Sequence, residues 1–278
     1  MKELFDSISF KTSKLVTNRY STSFSLGILF IDKAIRKHIY NIYGFVRFAD
    51  EIVDTFHGYD QEYLLGQFEY DLHNAIENKI SLNPILNSFQ QTYHQFDLGK
   101  DLTNKFMESM AMDLDKKNYN KNSYEDYILG SAEVVGLMCL KVFLNGDKEK
   151  YAELKPYAMR LGAAFQKVNF LRDLKADFED LGRSYFPELD LLNFNKEQKE
   201  KIENEIAEDF RVALLGIKML PKSSRQGVYL AYIYYQKLFL KIKRTPAHKV
   251  LSERIRIQNY NKIGLMFQSV LRHQTNLL

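Results

Sequence analysis

Residues 33–56 read KAIRKHIYNIYGFVRFADEIVDTF. Ile35, Ile39, Ile42, Val46, Ala49 and Val53 recur at a 4-3-4-3-4 spacing, which keeps all six on one face of an α-helix. One position along runs a second stripe of Arg36, Tyr40, Tyr43, Arg47, Asp50 and Asp54. At about 100° per residue these side chains fall within an arc of ~80°. Tyr43, Arg47, Asp50 and Asp54 are therefore neighbours, with the two carboxylates one turn apart. Taken alone, this is also how a solvated helix face looks, since Arg47 can pair with either acid along the helix.

The same periodicity extends outward over most of the chain. It predicts further helices at about 60–79, 84–97, 99–115, 123–145, 150–180, 195–216, 222–243 and 247–274, with breaks at Asn83-Pro84, Asn145-Gly146-Asp147, Gly182 to Pro187 and Thr245-Pro246. Gly and Pro make up 18 of 278 residues, about 6%, roughly half the usual share. So little turn chemistry argues against sandwiches, barrels and short-strand repeats, and for an all-α body. No Gly/Ser/Pro linker interrupts the pattern, so residues 1–278 are expected to form a single domain. The hydrophobic share of 45%, with 20 Phe, 18 Tyr and no Trp, suffices for a core and for an apolar cavity, and excludes disorder as the main state.

Charge and cysteine content narrow the setting. A net charge of +4 from 39 basic and 35 acidic residues creates no dominant field, so a nucleic-acid partner is not expected. The lone Cys139 lies in VVGLMCLKVFL, where neither a disulfide framework nor a thiolate metal site can be built within one chain. No stretch approaches about 18 consecutive apolar residues, and the N-terminus lacks a secretory h-region. A cytoplasmic protein with no membrane span is the expectation. From Lys241 to Lys262, seven Lys/Arg face one Glu253, a basic surface helix by default and an anion-facing one if it lies near a site.

A second acidic stripe appears in RLGAAFQKVNFLRDLKADFEDLGRSYFP, residues 160–187. Gln166, Asn169, Asp173 and Asp177 share an arc of about 80°, with Leu161, Ala164, Val168 and Leu171 read as the apolar back. Ala163, Phe165 and Phe170 flank the polar front and would be odd neighbours for water. Enclosing four carboxylates without cations is very costly. Mg²⁺ takes one or two carboxylates and completes its octahedron with water and phosphate oxygens, so two D-x-x-x-D pairs suit a Mg²⁺-diphosphate site. The histidines His38, His57, His73, His94, His248 and His273 are scattered, and neither a Gly-rich phosphate loop nor a Ser-His-Asp pattern is present.

At these residues the sequence resembles the squalene/phytoene synthase family of head-to-head prenyl transferases. Tyr20-Ser-Thr-Ser23-Phe24 resembles the family's S-x-S-F element, and YGFVRFADEIVD (43–54) its first aspartate motif. YILGSAEVVGLM (127–138) is similar to the Y-x-x-x-V-A-G-x-V-G segment. Gln166 to Pro187 is similar to the second motif, Q-x-x-N-x-x-R-D-x-x-x-D followed by G-R-x-Y-x-P. Tyr235 and Arg254 fall near C-terminal positions that contribute to the diphosphate pocket. Three positions depart from the pattern: Thr22 where Lys or Arg is common, Glu133 in place of a Gly, and Lys167 in place of an apolar residue. The Glu133 change is expected to narrow the tunnel or add a polar group near it.

The resemblance implies a single-domain terpenoid-synthase-type bundle around a central cavity, and condensation of two prenyl diphosphates through a cyclopropylcarbinyl diphosphate. It implies Mg²⁺, with Mn²⁺ as an alternative, held by Asp50, Asp54, Asn169, Asp173 and Asp177; the four aspartates with Tyr43, Arg47 and Tyr127 form the catalytic set. Substrate contacts are implied for Ser23, Phe24, Arg47, Gln166, Asn169, Arg172, Arg183, Tyr185, Tyr235 and Arg254. Tyr43, Phe24, Tyr127, Phe165, Phe170 and Tyr185 are candidates to line the cavity. The wording of GLMCLKVF and GRSYFP favours a phytoene synthase using geranylgeranyl diphosphate, without NADPH, over a dehydrosqualene or squalene synthase using farnesyl diphosphate. A hydrocarbon product implies peripheral contact with the inner face of a membrane; the sequence leaves the oligomeric state open. A non-catalytic relative acting as an assembly factor is expected to lose acids from a motif, and both motifs are whole. A head-to-tail elongator or terpene cyclase is expected to carry D-D-x-x-D, where residues 50–54 read DEIVD.

Overall fold

The computed structural model describes residues 1–115, 119–179, 185–187, 189, 194–252 and 254–255, apart from the side chains of residues 22, 23, 115 and 176–179. Among these the chain is helical and contains no strand. The order is α1 (Lys2–Tyr20), α2 (Thr22–Leu29), α3 (Lys33–Thr55), α4 (Gln61–Asn78), α5 (Pro84–Gln95), α6 (Lys100–Asp115), α7 (Lys121–Ile128), a π-helical turn (Leu129–Glu133), α8 (Val134–Leu144), α9 (Lys148–Glu179), α10 (Lys196–Met219), α11 (Lys222–Arg244) and α12 (Ala247–Val250).

Local chemistry sets the helix ends. Asp32, Asp60 and Asn83 accept hydrogen bonds from the backbone N–H groups of Ala34, Tyr63 and Ile85 at 2.8, 3.0 and 3.0 Å, and Pro84 occupies the first turn that tolerates it. Asn120 with Ser123, and Asn195 with Gln198, form reciprocal capping boxes at α7 and α10. Lys79 and Asn145 end α4 and α8 in the left-handed conformation, at φ 56° and 49°.

Helices α3 to α11 fall where the periodicity places them, within a few residues. Two differences have physical causes. Helical runs read from apolar spacing begin at residue 33, yet α1 and α2 precede it. The buried face of α1 is polar: Ser9, Ser13 and Thr17 are fully covered, and the Ser13 hydroxyl bonds that of Ser88 on α5 at 2.6 Å. The helix expected over 247–274 ends at Val250; a turn follows, and Arg254 and Ile255 are non-helical. Residues 256–274 lie outside the described residues.

Helix α1 packs on α3 and α5, α2 on α11, and α9 on α8 and α10. One apolar cluster joins α3 to α6 and α8, a second joins α7 and α9 to α11, and a third fills the far side among α8, α9 and the α10 end. The cavity lies between them. The stretch Lys121–Leu144 has the length and composition of a membrane span, but half of its apolar window is buried within the protein.

Candidate active site

A cavity of about 1180 Å³ runs between α2, α3, α8, α9, α10 and α11. One face of α9 lines it from Leu154 to Asp173, a stretch of about 28 Å along the axis at 1.5 Å per residue. Leu154, Tyr157, Leu161 and Phe165 make the apolar part of that face; Gln166, Asn169, Arg172 and Asp173 make the polar end. Leu161, expected on the helix back, belongs instead to the cavity face. It lies i, i+4 and i, i+8 before Phe165 and Asn169, so the shared face carries it inward. Ala164, Val168 and Leu171 do form the buried back.

Helix α3 brings Tyr43, Arg47, Asp50 and Asp54 to the same polar end. The stripe does not extend through its first two members. Arg36 donates to the carbonyls of Leu29 and Ile31, closing α2, and Tyr40 is buried in the core.

Charge at this end is paired across short distances. Arg47 bridges Asp50 and Glu51, with its guanidinium 4.5 Å from the Tyr20 ring centroid. Arg172 grips both oxygens of Asp173 through Nε at 3.0 Å, and Arg254 Nε reaches Asp173 Oδ1 at 2.7 Å. Burial, reinforced by the Asp54 charge and more weakly by Asp113 and Glu51, pushes the Asp50 carboxyl up to about 8 despite Arg47. Burial opposes the charge on Arg172, but Asp173 outweighs it and raises the guanidinium pKa. Among the described residues no group of three or more His, Cys, Asp or Glu side chains gathers at one point.

Aromatic rings take up much of the remaining wall. Phe24 stacks on Tyr43 at 4.6 Å, Phe165 on Tyr235 at 4.0 Å and Phe170 on Tyr185 at 4.2 Å. All six candidate lining rings of the sequence, Tyr43, Phe24, Tyr127, Phe165, Phe170 and Tyr185, line this cavity. Burial raises the Tyr43 hydroxyl to about 12, and Ser21 hydrogen-bonds it. Tyr235 donates to Asn169 Oδ1 at 3.3 Å. The side chains of Ser23 and Asp177, and Arg183 altogether, lie outside the described residues.

Glu133 is not among the cavity-lining residues. Its electrostatic neighbours are Arg160, Lys167 and Asp209, so it neither narrows the tunnel nor adds polarity to it. The π-helical turn splits the wall: Ser131 and Ala132 face the cavity while Glu133 faces α9 and α10. Sequence reading also missed participants. His57 and Tyr20 line the polar end. Asp113, on α6, accepts hydrogen bonds from Tyr127 at 2.6 Å, Tyr185 at 3.1 Å and Tyr119 at 3.4 Å. Asp113 in AMDLD has no acidic partner at i, i+3 or i, i+4 to mark it; only the fold brings three phenols to it.

A helical shell around a long apolar cavity, closed at one end by carboxylates and arginines, defines a terpenoid-synthase-type fold. A dehydrosqualene synthase crystal structure in complex with ligand superposes with a TM-score of 0.84 over 97% of this chain and 98% of its own, at 20% identity. Residues 17–261 match the squalene/phytoene synthase family, and the chain belongs to it. Its relatives include a phytoene synthase of Arthrospira platensis, 26% identical over 95% of this chain and 93% of that protein. A 4,4'-diapophytoene synthase of Staphylococcus haemolyticus is 23% identical over 87% and 90%. The family consists of prenyl transferases that bind prenyl diphosphates.

Proposed function

We propose that the protein condenses two geranylgeranyl diphosphates head to head into phytoene, through prephytoene diphosphate. The observation that carries the C20 choice is the length of the cavity. At about 1.25 Å of advance per main-chain carbon, from C–C bonds of ~1.5 Å, a C20 chain extends ~20 Å and a C15 chain ~15 Å. The lined face of α9, about 28 Å long, takes a C20 chain with its diphosphate at the polar end. A C15 chain leaves much of the far end without contacts, at a loss of dispersion energy.

The donor set at the polar end suits a hard cation with phosphate ligands. Asp50 and Asp54 lie one turn apart on the cavity side of α3, and burial with the Asp54 charge raises the Asp50 carboxyl, so a cation between them relieves both costs. A dedicated protein cage is not needed, because magnesium sites commonly use one or two carboxylates together with substrate phosphate. Asp50 and Asp54 on α3, with Asn169, Asp173 and Asp177 on α9, are the residues that would hold it. When bound, Mg²⁺ supplies charge neutralisation for the departing diphosphate.

Arg47, Arg172 and Arg254 supply planar donor forks for the phosphate oxygens, exchanging carboxylate partners for phosphate as substrate enters. The C1–O bond of one substrate breaks and the diphosphate leaves with the electron pair. The 2,3-double bond of the second substrate attacks the allylic cation, and loss of a proton closes the cyclopropane. A second C–O cleavage, rearrangement and loss of a second proton give the central triene. Tyr43, Phe165, Phe170 and Tyr235 offer ring faces to these cations, worth roughly 0.5–2 kcal/mol each. The apolar wall keeps water from trapping them as alcohols.

Incubation of the purified protein with Mg²⁺ and geranylgeranyl diphosphate, without NADPH, is expected to give a C40 triene recognisable by mass and ultraviolet spectrum. A C30 triene formed from farnesyl diphosphate in preference would instead favour dehydrosqualene synthesis, the reading to which the diapophytoene synthase relative points. No condensation of either substrate, with or without NADPH, overturns the enzymatic reading.

A further inference from the structure

We infer that Asp113 is a positioning residue that decides whether the reaction's cations reach hydrocarbon or are lost as alcohols; this rests on the condensation proposed above. Asp113 is only 3% exposed. Its Oδ2 accepts from the Tyr127 hydroxyl at 2.6 Å, and its Oδ1 from Tyr185 at 3.1 Å and Tyr119 at 3.4 Å. Around this carboxylate the rings form a box. Tyr127 lies 5.1 Å from Tyr185, Tyr119 lies 5.3 and 5.1 Å from the same two, and Phe170 stacks on Tyr185 within 9° of parallel. Tyr127, Tyr185 and Phe170 line the cavity; Asp113 and Tyr119 do not.

The arrangement separates the two chemistries of a phenol. A ring face stabilises a cation, whereas a hydroxyl oxygen, or a water held by one, can capture it. Capture forms a C–O bond and releases a proton, ending the sequence at an alcohol where water is the nucleophile and at an aryl ether on the protein where the phenol itself is. Tying the hydroxyls of Tyr127 and Tyr185 back to a carboxylate outside the cavity leaves their rings in the wall. The negative charge of Asp113 lies directly behind these rings, where it favours positive charge in front of them. A core carboxylate serving stability alone has no reason to gather its donors from the cavity wall.

The test is Asp113→Asn in the full chain, assayed with geranylgeranyl diphosphate and Mg²⁺ alongside the native protein. Asparagine has one acceptor oxygen where aspartate has two, so at least one phenol must turn its O–H elsewhere. The ratio of prenyl and cyclopropylcarbinyl alcohols to triene is expected to rise about tenfold, the value of one charge-assisted hydrogen bond. Total substrate consumption is expected to fall much less. In a Tyr127→Phe, Tyr185→Phe background the same substitution is expected to raise the ratio much less, because the hydroxyl route is gone and only the field behind the rings is lost. An unchanged ratio in Asp113→Asn, or an equal loss of triene and alcohol, overturns the inference. Should the variant lose its helical circular dichroism, Asp113→Glu, which keeps the charge but moves the acceptor oxygens by one methylene off the phenols, carries the same test. Triene formation by the native protein in the same assay separates this outcome from failure of the condensation itself.

Discussion

Glu133 and Lys167 depart from the family pattern at positions 34 residues apart in sequence, and in the structure they belong to one network. Lys167 Nζ donates to Asp209 Oδ2 at 2.9 Å and Arg160 Nη1 to Asp209 Oδ1 at 2.8 Å, with Glu205 3.6 Å from Lys167. Burial, with Asp209 adding to it and Arg160 and Lys167 opposing, raises the Glu133 carboxyl from 4.5 to about 7. A folded-state pKa above the unfolded one means that the associated stability is complete below about pH 4.5 and is lost as pH rises through 7. Glu133→Gln is therefore expected to leave the melting temperature unchanged near pH 4.5 and to raise it by about 2–4 °C at pH 8, for ~1 kcal/mol after allowance for solvent screening. Thermal unfolding at both pH values checks this; an equal shift at both would assign the effect to packing. In the polar end, Asp50→Ala or Asp173→Ala is expected to cut turnover by about 10²-fold or more, while circular dichroism stays helical. A variant that turns over at the native rate removes that carboxylate from the site. The paired acids were legible because i, i+4 spacing is a local property; Asp113 was not, because its partner Tyr185 is 72 residues away.

At the scale of elements, legibility followed the chemistry of the buried face. Helix α3 declares itself because its inward positions are aliphatic, whereas α1 hides because Ser9, Ser13 and Thr17 do the same work by hydrogen bonding. The π-helical turn at Leu129–Glu133 is a change of backbone register, and side-chain periodicity carries no mark of it. Gly162 on α9 shows how the turn is held. A Cβ placed there would lie 2.7 Å from the carbonyl oxygen of Ala132, which is backbone and has little room to yield. Gly162→Ala is expected to destabilise the protein by about 1–3 kcal/mol through overpacking, read as a lower denaturation midpoint at unchanged m-value. Turnover is expected to drop as well, since Ala132 and Gly162 both line the cavity. A neutral effect on both readouts would mean that α9 and the turn separate without cost.

Only at the scale of the whole molecule does the question arise of how long a chain the cavity holds. The surplus of Phe and Tyr in the sequence allowed either a dense core or a lined cavity, and neither period nor spacing separates those outcomes. Tertiary packing does, by leaving one face of α9 uncovered from Asp173 back to Leu154. Tyr157 lies about 24 Å from Asp173 along that face, slightly beyond the reach of a C20 chain. Opposite it, Gly216 on α10 leaves the space that the tyrosine needs: a Cβ at Gly216 would sit 2.2 Å from Tyr157 Cβ. Leu154, Phe143 and Leu220 close the wall around it. Tyr157→Ala removes the ring and lengthens the cavity, so a C25 prenyl diphosphate is expected to compete with C20 about tenfold better than in the native protein, as burial of an extra isoprene unit rewards it. Gly216→Ala drives Tyr157 inward and is expected to shift preference towards C15, with some loss of stability. Competition among C15, C20 and C25 diphosphates, with products separated by mass, measures both shifts at once. Opposite shifts from the two substitutions identify the α9–α10 contact as the stop that sets chain length. If the native preference persists in both variants, the length limit resides at the polar end, in how the two diphosphates are held, and the far wall is only packing.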